Sequence, residues 1–154
     1  MKLNFAFEVN RQTRKNILRT VEGLNEEQIN IIPEGFKNNI AWNLGHILIT
    51  HQMLFYLMSG NKPQVSEELI ERYRKGSSPT DKISLIEFEE IKKGFVNSID
   101  KAEEDYNNGL FAGYKPYKTS YGIDINSIED VIEFIFAHDA FHWGVIAAMR
   151  KVIS

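Results

Sequence analysis

Four histidines and no cysteine in 154 residues restrict the metal chemistry open to this chain. Without thiols there is no disulfide, thiolate zinc site, iron–sulfur cluster or cysteine nucleophile. A transition-metal site has to be built from imidazole and carboxylate, and the imidazoles are those of His46, His51, His138 and His142. His138 and His142 stand four residues apart. At that spacing one helix presents two rings on one face, with Cβ atoms about 5–6 Å apart, so that both can reach one ion.

At about 100° per residue, His138 and His142 share an arc with Val131, Ile135, Val145 and Met149, flanked by Phe134 and Phe141. Glu129, Glu133, Arg150 and Lys151 lie away from it. This predicts the pair at the middle of the core-facing stripe. Burying an unpaired polar group costs about 1–3 kcal/mol, so two side by side need partners. A shared metal ion is one solution; a separate hydrogen bond from each ring to a tyrosine or a carbonyl is the other. Candidates for a third ligand lie on the apolar segment 38–59. His46 shares a face with Trp42, Asn43, Thr50, Met53 and Leu57, a mixture typical of site walls. His51 lies beside Ile40, Leu44, Phe55 and Met58, as a core histidine would. Periodicity leaves both open and gives His46 the lead. Three neutral imidazoles with open positions describe a catalytic site, not a closed structural one, and they suit zinc, nickel, manganese or iron. A di-iron carboxylate centre fits poorly, because it needs Glu-x-x-His on two helices. Here only Asp139-x-x-His142 has that spacing, and Asp139 is expected at the edge of the core arc as a supporting or surface carboxylate.

The elements that must position these residues follow from caps and breakers. Length predicts a single domain over 1–154, at roughly 150 residues per domain. Helical periodicity covers about 4–22 and 38–59, with a short capped helix after Asn25 that ends at Pro33, and an amphipathic piece over 66–75. Capping boxes at Ser84-x-x-Glu87 and Ser127-x-x-Asp130 open two further helices, over 84–106 and 127–153. Four long helices with short accessory helices and no strand pattern indicate an all-α four-helix bundle. The Gly- and Tyr-rich connection 108–125 is long enough to shape a site. Tyr114, Tyr117 and Tyr121 are candidates for its mouth, and Lys115 and Lys118 for attracting an anion.

Composition narrows the partners. Hydrophobic residues at 43% and charged residues at 25% are ordinary for a globular domain. A net charge of −3 and a pI near 5.8 argue against a nucleic-acid partner, which a basic face would serve. The N-terminal residues lack the apolar run of a signal peptide. The most apolar stretch, 40–58, is interrupted by Asn43, His46, Thr50, His51 and Gln52, a poor membrane span. The expectation is a cytoplasmic protein with a small-molecule substrate and neither a nucleic-acid nor a membrane partner. Phe136, Ala140, Trp143 and Ala147 form an apolar outer stripe on the last helix, which predicts a partner surface and a homodimer.

Asn39-Ile-Ala-Trp-Asn-Leu-Gly-His46 resembles the second-helix segment of the DinB/YfiT-like superfamily, and His138-Asp-Ala-Phe-His142-x-Gly144 resembles its last-helix motif. Leu24-Asn-Glu-Glu-Gln28, followed by Pro33 and Gly35, is similar to the family's link between its first two helices. The likeness covers nearly the whole chain in the right order. It departs at Val145, where the family often has glutamine. The resemblance implies a four-helix bundle holding a divalent metal ion on three histidines, which match His46, His138 and His142 here, with positions open to water or substrate. His51 is not a ligand position in that pattern. Characterised members include transferases and isomerases that use bacillithiol, mycothiol or glutathione, which implies a low-molecular-weight-thiol S-transferase. A metal-dependent hydrolase and a non-enzymatic metal- or ligand-binding stress-response bundle are the alternatives. With no cysteine in the chain, any thiol in the reaction arrives with a substrate or cosubstrate.

Overall fold

The computed structural model describes residues 2–153. Helix α1 spans Leu3–Val21, α2 Glu26–Asn30, α3 Ile40–Phe55, α4 Glu67–Tyr73, α5 Leu85–Asn107 and α6 Ile128–Ile153. The caps act as the sequence predicts. Ser84 and Glu87 close a reciprocal capping box on α5, and Asn25 and Gln28 do the same on α2. On α6 the Ser127 hydroxyl accepts from the Asp130 amide at 3.2 Å, while the Asp130 carboxylate accepts from the Ser127 amide at 3.1 Å. Each box satisfies amides that would otherwise lack partners.

Two boundaries differ from expectation. The apolar second segment does not run unbroken to Ser59: α3 stops at Phe55, a 3-10 turn covers Leu57–Ser59, and Gly60 adopts the left-handed φ of 75° that ends it. The connection 108–125 is not wholly irregular, because β1 (Tyr117–Lys118) pairs antiparallel with β2 (Asp124–Ile125). Strands of two residues are too short to show a period of two in sequence.

The four long helices form the bundle. Polar contacts give their directions. Asn10 donates to the Ile132 carbonyl, Arg14 pairs with Asp139, and Trp143 and Arg150 donate to Thr20, so α1 and α6 run parallel. Tyr56 donates to Asp105, while Leu48 is the side chain that a Cβ at Gly94 would meet, so α3 and α5 also run parallel. The two pairs oppose each other, since Arg11 meets Asp100 and Glu103 while Arg14, one turn on, meets Phe95 and Ser98. Helix α1 touches α5 and α6, and α3 touches the same two. Consecutive long helices α1 and α3, and again α5 and α6, therefore stand diagonally, and the long connections carry the crossings.

Helix α3 is the central element that its composition predicts. Of its residues only Thr50 and Met53 escape burial. Helix α6 is long and apolar enough by length and composition to cross a membrane; in this fold Val131, Ile132, Ile135, Ile146 and Met149 are buried, while Phe136, Phe141 and Val152 stay exposed. The apolar stripe expected as a dimer surface is mostly covered within the chain. Trp143 packs against the core and donates its indole N–H to Thr20 at 2.9 Å, Ala140 and Ala147 are partly buried, and only Phe136 is exposed.

The apolar core falls into two clusters. One gathers Ile17, Leu44, Ile47, Phe88, Phe95 and Ile146; the other gathers Phe7, Phe55, Ile99, Phe111, Ile132 and Ile135. Between them each long helix contributes buried polar groups: Asn10, Thr13 and Arg14 from α1, His51 and Gln52 from α3, Ser98 from α5 and Asp139 from α6. At its centre Arg14 Nε donates to Asp139 Oδ2 at 3.0 Å, and Arg14 Nη1 donates to Phe95 O and Ser98 Oγ at 2.6 Å each. This corrects the expectation for Asp139. It lies fully buried rather than at the edge of the arc, because the buried stripe of α6 is turned toward Ile132, Asp139 and Ile146 and away from Phe141.

Candidate metal centre

His46 comes from the middle of α3, and His138 and His142 from successive turns of α6. One ring nitrogen from each lies within 4.8 Å of the others. The ring centroids are 4.7 Å apart for His138 and His142, 4.9 Å for His46 and His142, and 5.3 Å for His46 and His138. Among the described residues these three form the group of side chains arranged to hold a metal ion. His51 takes no part. It is fully buried in the polar layer, stacked on Phe55 at 4.3 Å, and neither ring nitrogen has a hydrogen-bond partner.

Each ring of the trio is turned by a neighbour. His46 Nδ1–H donates to the Tyr73 carbonyl at 2.8 Å, and Trp42 stacks on the same ring at 4.6 Å and 8°. His142 Nδ1–H donates to Asn43 Oδ1 at 2.8 Å. The direction of that bond follows from Asn43 Nδ2, which donates to the Asn39 carbonyl at 2.8 Å and leaves Oδ1 as the acceptor. His138 Nδ1 faces Asp139 Oδ1 at the longer distance of 3.5 Å. A proton held on Nδ1 by an outer partner leaves Nε2 as a lone pair, which is the usual arrangement behind a metal-binding imidazole.

Burial sets the protonation state. The His142 pKa is lowered to about 3, first by burial and then by His138 and His46. That of His46 is lowered to about 4, again chiefly by burial, with His138 and Lys75 adding to the shift and the Tyr73 carbonyl opposing it. At neutral pH both rings are neutral, the form that binds a cation. A four-coordinate zinc with Zn–N near 2.1 Å sets its ligands about 3.4 Å apart, and modest χ rotations of the rings close the remaining gap. The donor set therefore fits a divalent ion.

The lone pairs face a pocket of about 500 Å³. Ile49, Thr50, Met53 and Leu54 of α3 form one wall, and Phe134, Ala137 and Phe141 of α6 the other. Tyr117, Thr119, Ser120 and Tyr121 of the hairpin region close one side, while Arg74 and Lys75 stand on another. Thr50 and Met53, the two residues of α3 that escape burial, are both on the pocket wall. The histidine pair thus sits where the core meets the pocket rather than at the middle of the buried arc: His142 is 9% exposed, whereas Phe141, expected to share the core face, is 66% exposed.

Of the three tyrosines considered for the mouth, Tyr117 and Tyr121 line the pocket. Tyr114 packs against the core instead, and burial pushes its pKa up to about 12. The cations at the pocket are Arg74 and Lys75, not Lys115 and Lys118. Sequence reasoning passed over the segment after α4 because its contact with the site depends on Gly45. A Cβ there would meet the Tyr73 ring at 2.5 Å, so glycine lets the Tyr73 strand of chain approach α3 closely enough for its carbonyl to hold His46. An isolated glycine within an apolar helix is the available signal for such an approach. Gly144, by contrast, faces open space.

A sequence model of the DinB superfamily matches residues 10–146. A search of curated proteins returns no match. The chain belongs to the DinB superfamily, in keeping with its helical fold and the cluster of three histidines.

Proposed function

We propose that this bundle is a metal-dependent enzyme in which His46, His138 and His142 hold one divalent ion, and that it transfers a low-molecular-weight thiol to a small-molecule acceptor in the cytoplasm. The observation that carries the reading is the orientation of the rings: partners behind His46 and His142 aim their free nitrogens at a common point on the floor of an open pocket. Such an ion supplies Lewis acidity, which lowers the pKa of a bound thiol or water so that a nucleophile exists at neutral pH. Asn43 and the Tyr73 carbonyl fix the tautomers of the ligands. Trp42 restricts the rotation of His46. The apolar walls keep water from the reacting groups.

The same ligands would serve a hydrolase through a metal-bound water, whose attack a general base in reach would assist. Among the described residues no Asp or Glu lines the pocket, so that assistance is missing, whereas a thiol, with a free pKa of about 8.5, needs it less. Elemental analysis of protein supplemented with zinc, nickel, manganese or iron tests the metal site. Near-stoichiometric uptake is expected, with loss in a His142→Ala variant. No uptake from any of the four overturns the proposal. A thiol-transfer assay run beside an esterase and amidase screen separates the two chemistries.

A further inference from the structure

The pocket above the histidines has a charge bias that the chain as a whole does not share. The protein carries a formal charge of −3, yet among the described residues the pocket lining includes Arg74 and Lys75 and no carboxylate. The two cations are not equivalent. Arg74 Nε is bound to Glu71 at 2.8 Å, which matches its charge at the rim. Lys75 is exposed and makes no ion pair among the described residues. It follows Tyr73 by two residues, and the Tyr73 carbonyl holds His46, so the Lys75 ammonium rises from the same short segment that orients a histidine of the trio.

Below that charge the lining changes character. Met53, Leu54, Phe134 and Phe141 present thioether, alkyl and aryl surface, and Tyr121 leans edge-on over Phe134 at 5.9 Å. A pocket of about 500 Å³ is of the size that encloses a drug-like molecule. Methionine and exposed aromatic side chains adapt to an apolar body. A single unpaired cation over such walls favours a ligand whose one charged group is negative and whose remainder is apolar. A highly polar ligand would leave the walls unsatisfied, and an apolar cation would be repelled at the rim.

We propose that one reactant enters as an amphipathic anion, with an aryl or alkyl body against Met53, Phe134 and Phe141 and a carboxylate- or sulfonate-type group paired with Lys75. This deepens the reading above, since it rests on that pocket being the substrate chamber. It does not require the ion to be present, so it can be tested on metal-free protein. The probes are 8-anilinonaphthalene-1-sulfonate and its uncharged counterpart N-phenyl-1-naphthylamine, titrated by fluorescence. Saturable binding of the sulfonate is expected. Lys75→Ala should weaken it about two- to fivefold, the range for loss of one ion pair at an exposed site, and leave the uncharged probe unchanged. Phe141→Ala, at a position already largely exposed, should weaken both probes and so locate them in this pocket. Raised salt should reduce the preference for the sulfonate. Equal effects of Lys75→Ala on both probes, or no effect on either, overturn the inference, as does binding indifferent to Phe141→Ala. Metal uptake without probe binding sinks this inference and leaves the metal reading standing. Probe binding without metal uptake does the reverse.

Discussion

Helix α3 carries two buried histidines five residues apart, in opposite circumstances. His46 donates its Nδ1–H to the Tyr73 carbonyl, and the ring lines the pocket beside His138 and His142. His51 is more deeply buried, and neither nitrogen is bonded. Phe55 stacks on its ring, and burial, with the positive charge of Arg14 adding to it, holds its pKa well below the ordinary value. Burial alone therefore does not bring a histidine into the cluster that could hold a metal ion. Of these two, only His46 has a partner behind its ring and a pocket in front of it.

The comparison can be broken most forcefully at the polar layer around His51. Asp139→Ala removes the carboxylate that faces Arg14 and leaves a guanidinium buried without its counter-charge. A loss of about 3–5 kcal/mol is expected, read from the shift of the urea midpoint. A much smaller loss would mean that the layer is hydrated and that Arg14 finds another partner.

Next in size is a change behind the trio. Asn43→Leu removes the acceptor that holds the His142 tautomer while leaving His46, His138 and His142 in place. Such outer partners typically contribute 10–100-fold to metal affinity, and a loss of roughly that order is expected, measured by competition with a chromophoric chelator. Unchanged affinity would show that His142 is oriented by packing alone.

Acid sensitivity compares the two regions in one experiment. His46, His142 and His51 all have pKa values depressed below the usual 6.5, to about 4 and about 3 for the first two. Near pH 6 the unfolded chain takes up protons that the metal-free folded chain refuses, so stability rises with pH. The full contribution is present above about 6.5, where both states are neutral, and is lost progressively as the pH falls through 6.5 toward 4 and then 3. Denaturant midpoints of metal-free protein between pH 7 and pH 4 should follow this slope, and a flat profile contradicts it.

The smallest effect is expected from His51→Leu. An unbonded imidazole is replaced by an apolar side chain of similar volume, so stability at neutral pH should change by less than about 1.5 kcal/mol in either direction. The acid slope should become shallower, and metal uptake should not change. A loss of uptake would place His51 in the site after all.

Much of this was legible in the chain because it depends on near neighbours. Ser84, Glu87, Ser127 and Asp130 act within one turn, so the starts of α5 and α6 follow from local hydrogen bonding. The step of four residues between His138 and His142 is itself the geometry of one helix face. What was not legible depends on which helices meet. The buried arc of α6 is turned to include Asp139 and to leave out Phe141, set by how α6 packs on α1 and α3, and no periodicity within α6 reports that. Lys115 and Lys118 were the cations expected near the pocket, and Arg74 and Lys75 are found there instead, brought in by the path of the chain past Gly45.

By itself the sequence determined that this protein is an all-helical bundle in which any transition-metal site must do without thiolate and has four imidazoles to draw on, because helix caps, apolar periodicity and the lack of cysteine are properties of short stretches and of composition. The tertiary structure decided that His46 rather than His51 stands with His138 and His142, that Asp139 pairs with Arg14, and that Lys75 lies over an apolar pocket. Each of these depends on contacts between elements distant in the chain, set by how whole helix faces exclude water together, and no local pattern encodes that arrangement.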